Sequence, residues 1–93
     1  MNFFNAASLL LLRTTTRAIA YRELKEFELA IENFKLTLAK RSRSSDILEY
    51  ARYERAVTYI AMGKKAQAIK DLNSLIAKDY NDEAAKNLLK ELV

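Results

Sequence analysis

Apolar residues recur three and four positions apart through most of the chain, with polar residues between them, the period of helices that bury one face. In the second half, Ser45 or Asp46 can accept a hydrogen bond from free first-turn amides, and Glu49 is placed to reach back. The pattern predicts a helix from near Ile47, carrying Leu48, Ala51, Ala56, Tyr59 and Ile60. Gly63 can take the left-handed backbone that closes it. Ala66, Ile69, Leu72, Leu75 and Ile76 then form a second apolar stripe that continues to about Lys78. The first half repeats this plan, with a helix over roughly Ala6 to Leu24, a turn near Lys25 and Glu26, and a partner helix bearing Phe27, Ala30, Ile31, Phe34 and Leu38. That turn has no glycine and is expected to be looser. Past Asp79, Asn81 is placed to cap a last helix, with Asp82 and Glu83 suited to its positive end and Ala84, Ala85, Leu88, Leu89 and Leu92 on one side.

The two halves are one unit written twice. Arg17-Ala18-x-x-Tyr21 followed by Ala30-Ile31 recurs as Arg55-Ala56-x-x-Tyr59 followed by Ala68-Ile69, a shift of 38 positions that also lays Leu10 on Leu48, Ile19 on Val57 and Leu38 on Ile76. A fixed period of this size marks a stacked array, in which each unit leaves a hydrophobic face that only a neighbour can bury. The expected architecture is all-α, one domain over residues 1–93: a first repeat over about 6–40, a small polar and charged loop at 41–45, a second repeat over about 46–79 and a capping helix over about 82–92.

These residues resemble the tetratricopeptide repeat, a helix-turn-helix unit of about 34 residues with the pattern W-x2-L-G-x2-Y, A-x3-F, P. Ala18 and Ala56 stand at the small glycine position, Tyr21 and Tyr59 at the aromatic one, and Ala30 and Ala68 at the characteristic alanine. Ala30-x3-Phe34 fits outright, whereas the second unit has Leu72. Thr14 and Arg52 replace the tryptophan, Arg17 and Arg55 the leucine, and Tyr80 the closing proline. The resemblance implies a concave surface, lined by the first helix of each pair, that receives a peptide or partner helix. By position this surface holds Leu12, Thr15, Ile19 and Arg22 from the first unit, and Tyr50, Tyr53, Val57, Ile60 and Ala61 from the second. Thr15, Ile19 and Glu54 occupy the places where relatives that grip a terminal carboxylate use lysine and asparagine, which argues against that role. Tyr50 and Tyr53 are open to two readings, groove or ordinary core against Phe34 or the last helix.

Composition narrows the chemistry. Without histidine or cysteine, neither a Ser-His-Asp nor a Cys-His arrangement can be built, and a single glycine cannot make a glycine-rich phosphate loop. Carboxylate pairs such as Glu23 with Glu26 and Asp82 with Glu83 read as capping or solvated groups, so no cofactor, metal site or enzyme is expected. The net charge of +4 is interleaved along the helices, with a local cluster at Lys40, Arg41 and Arg43. Leu9 to Leu12 falls far short of the roughly 20 apolar residues that cross a bilayer.

The leading expectation is a non-catalytic interaction module that binds a protein segment, or its own copy, through apolar helical faces. The amino-terminal edge, with Met1, Phe3, Phe4 and Leu9 to Leu12, lacks a polar cover. A second copy in a homodimer, further repeats of a longer protein, or a membrane surface would each cover it. The alternative is a basic helical adaptor for RNA or an acidic membrane or protein surface, working through Arg13, Arg17, Arg22, Lys40, Arg41 and Arg43. A cytoplasmic location is expected. Residues 1–22, with three arginines and no acid, also have the composition of a mitochondrial transit peptide, although Arg17, Ala18 and Tyr21 take part in the repeat.

Overall fold

The computed structural model describes residues 6–40, 45–78 and 83–93. They form five helices: α1 (Ala6–Glu23), α2 (Phe27–Ala39), α3 (Ser45–Ala61), α4 (Lys65–Ala77) and α5 (Glu83–Leu92). Antiparallel pairs α1–α2 and α3–α4 are the two repeats. α2 packs on α3, α1 also touches α3, and α4 packs on α5. The fold class and helix order follow the hydrophobic pattern. Helix α3 begins two residues before Ile47, with Asp46 inside its first turn. Asn81, Tyr80, Arg41, Arg43, Met1, Phe3 and Phe4 lie outside the described residues. Helix α5 starts 38 residues after α3, at Glu83 against Ser45, so it holds the place of a third unit's first helix. None of the described helices is long and apolar enough to cross a membrane.

The turns inside the two repeats close with the same hydrogen bonds. Gly63 adopts φ +77°, its N–H donates to Ile60 O at 3.0 Å and that of Lys64 to Tyr59 O at 2.8 Å. At the corresponding first turn, Lys25 adopts φ +63°, donates to Arg22 O at 2.9 Å, and Glu26 donates to Tyr21 O at 2.8 Å. Both are the paired bonds of a Schellman closure, which satisfy carbonyls a helix end leaves free. The expectation of a looser first turn is therefore corrected: the same bonds close it, and Lys25 bears the left-handed conformation that glycine bears in the second.

The core follows the repeat. Ala18, Ala56, Ala30 and Ala68 are all fully buried, as are Phe34 and Leu72. Alanine at the crossings lets the paired helices approach closely, while Phe34 and Leu72 supply volume. Ala18, Ala30, Ile31, Phe34 and Ala51 make one cluster, and Ala56, Ala68, Leu72, Leu75 and Ala85 another. Tyr59 packs against both and joins them across the repeat boundary. The first repeat differs at its open end. Thr15 and Thr37 are fully buried where the second repeat has Tyr53 and Leu75, and Thr14 Oγ1 lies 2.5 Å from Thr37 Oγ1.

Candidate interaction surface

The first helices α1 and α3 lie side by side, and their matching positions set the surface expected to receive a partner. Leu12 and Tyr50, equivalent under the repeat, are 38% and 47% exposed. Ile19 and Val57, also equivalent, are half-buried, Ile19 packing against the first core cluster. These four side chains form the apolar part of the surface. The other expected members sit differently. Thr15 is enclosed, its hydroxyl donating to Leu11 O at 2.8 Å, and offers no surface; a threonine that returns its donor to its own helix is tolerated inside. Tyr53 and Ile60 are half-buried against the second core cluster, which includes Ala85 of α5. Ala61 is exposed at the carboxy-terminal end of α3.

Arg22 is not a free cation on this face. Its Nη1 lies 2.8 Å from Glu54 Oε1 and donates to Glu54 O at 3.3 Å, with side chains only 14% and 16% exposed. This pair ties α1 to α3 across the repeat boundary and places a neutralised polar clasp beside the apolar positions. Sequence reasoning missed it because partners 32 residues apart share no helical period.

A second clasp holds α3 to α4. Arg55 donates from Nε and Nη2 to the two carboxylate oxygens of Asp71 at 2.8 and 2.6 Å, and Arg52 Nη1 stands 3.9 Å from Asp71 Oδ1. The Asp71 side chain is 5% exposed, and Arg55 also lies 5.8 Å from the centre of the Tyr59 ring. Hydrogen bonding to Asp71 raises the Arg55 pKa above its ordinary value, against the desolvation that would lower it. The first repeat has Arg17 and Asn33 at these positions. Asn33 Nδ2 donates to Leu29 O at 2.9 Å, and Arg17 is exposed. The asparagine-for-aspartate difference, visible when the repeats are aligned, was the available signal.

On the opposite side, an open cleft between α2 and α4 is lined by Glu28, Glu32 and Lys35 on one wall and Lys64 and Gln67 on the other, with Tyr59 and Met62 between them. Among the described residues, no three or more Asp or Glu side chains converge to hold a metal ion. The described surface thus offers apolar contact and paired charge.

Residues 50–81, from Tyr50 of α3 through α4, match the family model described as tetratricopeptide repeat. No curated protein and no solved structure matches the chain.

Proposed function

We propose that this chain, which carries a tetratricopeptide repeat, is a non-catalytic protein-interaction module that binds a peptide or partner helix on the face shared by α1 and α3. The observation that supports the reading is the persistence of apolar side chains at equivalent accessible positions: Leu12 with Tyr50 and Ile19 with Val57. Tyr50 is the expected anchor, since aromatic side chains supply large contact area at little conformational cost. The Arg22–Glu54 clasp fixes the spacing of the two helices, and so of the two apolar pairs, before a ligand arrives.

The test is to select peptides against the whole chain from a displayed random library and measure their affinity for variants. Tyr50→Ala and Leu12→Ala, both at exposed positions, are expected to weaken the selected peptides about tenfold each, with helical content unchanged. Affinity should vary little between low and high salt, because apolar burial is not screened as charge is. Peptides that bind Tyr50→Ala and Leu12→Ala as tightly as the parent chain would remove this face from consideration.

A further inference from the structure

The repeat allows each surface of the first hairpin to be compared with its counterpart in the second, and one surface differs sharply. In α3 and its following turn, Ile47 is 7% exposed, Ala51 and Thr58 are fully buried, and Met62 packs against the cluster formed largely by α1 and α2. The equivalent residues of α1 and its following turn are Leu9, Arg13, Ala20 and Leu24, all exposed, Leu9 at 52% and Leu24 at 71%. Helix α2 covers this surface in the second repeat, and no described residue covers it in the first. On the adjoining stripe of α2, Leu29, Glu32 and Leu36 are exposed, whereas the second repeat has Gln67, Lys70 and Ser74 there. Polar residues suit a surface that meets water; leucines at matching positions suit one that is covered.

Charge says what covers it. The α1 side carries Arg13 and Arg17, and the α2 side carries Glu32 at its edge, between the two leucines and the α2–α4 cleft. Among the described residues none of these three has an ion-pair partner, whereas Arg22, Arg52 and Arg55 all do. One face therefore presents a basic apolar stripe beside an acidic apolar stripe, which is self-complementary under a half-turn. We propose that this outer face pairs with the same face of a second copy of the chain across a two-fold axis, α1 of one protomer lying on α2 of its partner. Arg13 and Arg17 then approach the partner's Glu32, the leucine stripes meet, and Ala20 leaves room for close approach. The other parallel arrangement, α1 on α1, would bring both pairs of arginines together and is disfavoured by their repulsion. A two-fold contact of this kind closes on itself, each copy covering the other's face.

The face is separate from the Leu12 and Tyr50 surface, so the two readings fail independently. The experiment is sedimentation equilibrium and light scattering on the full chain over a concentration series, with circular dichroism to confirm helicity. A helical dimer is expected, converted to a folded monomer by Leu24→Lys with Leu36→Lys. Arg13→Glu with Arg17→Glu should weaken it about tenfold, and Glu32→Arg should do likewise. All three charge changes in one chain should restore the dimer. A full chain that stays monomeric at every concentration overturns the proposal, as does a dimer indifferent to the two leucine changes. A dimer lost in the leucine variant but equally strong in every charge variant overturns the α1-on-α2 arrangement. Peptides selected on the α1–α3 face should bind the charge variants as they bind the parent chain.

Discussion

Lys25 and Gly63 occupy the same left-handed position in two turns closed by the same hydrogen bonds, so they separate backbone cost from side-chain identity. An L-residue in this conformation costs about 1–2 kcal/mol, part of which glycine loses again through its freer unfolded chain. Lys25→Gly is thus expected to stabilise the protein by about 0.5 kcal/mol. Gly63→Ala is expected to destabilise it by about 1 kcal/mol; a Cβ there meets nothing within 4 Å, so the cost is conformational rather than steric. Urea denaturation of both variants checks this, and a destabilised Lys25→Gly would mean that the lysine side chain contributes more than its backbone costs. Gly63 was legible in the sequence as a helix stop because glycine favours that conformation. Lys25 was not, because nothing in lysine's own preferences signals a positive φ; only the hydrogen-bond register copied from the second turn does.

Between elements, the two arginine clasps work where hydrophobic periodicity is silent. The helices themselves were readable because each buries a stripe whose spacing is local. The pairing of Arg22 with Glu54 and of Arg55 with Asp71 depends on how helices stack, and the same stacking encloses Thr15 while leaving Leu12 exposed. Asp71→Asn is expected to cost about 2–3 kcal/mol, since it removes the charge from a nearly enclosed two-point contact and leaves Arg55 and Arg52 close together without it. Thermal denaturation beside the reverse change in the first repeat, Asn33→Asp, gives the contrast. A loss for Asp71→Asn no larger than that of an exposed ion pair, under about 1 kcal/mol, would assign the clasp a geometric role only. The sign of the pH dependence follows from the raised Arg55 pKa. A raised value adds stability at all pH below the ordinary arginine range and loses it only as pH climbs through the folded value, so alkaline titration to about pH 10 leaves the guanidinium charged.

At the scale of the whole molecule, stability in a stacked array is a sum of units and the interfaces between them, and this chain distributes both unevenly. The second hairpin is packed on one side by α2 and on the other by α5, whereas among the described elements the first hairpin is packed on one side, by α3. The first hairpin also encloses Thr15 and Thr37 where the second has Tyr53 and Leu75, exchanging apolar burial for hydroxyls satisfied by their own helices. Both differences lower the free energy needed to open α1 and α2 while α3 and α4 stay folded. Native-state hydrogen exchange on dilute protein is therefore expected to show the mid-helix amides of α1 exchanging faster than those of α3, with α2 and α4 ordered likewise. If a second copy covers the outer face of α1 and α2, that gap should narrow as protein concentration rises, because an interface formed only by the closed state adds its binding free energy to the opening of that hairpin. Equal protection in both hairpins at high dilution would mean that the array opens as one unit and that the interface between α2 and α3 is stronger than either hairpin alone.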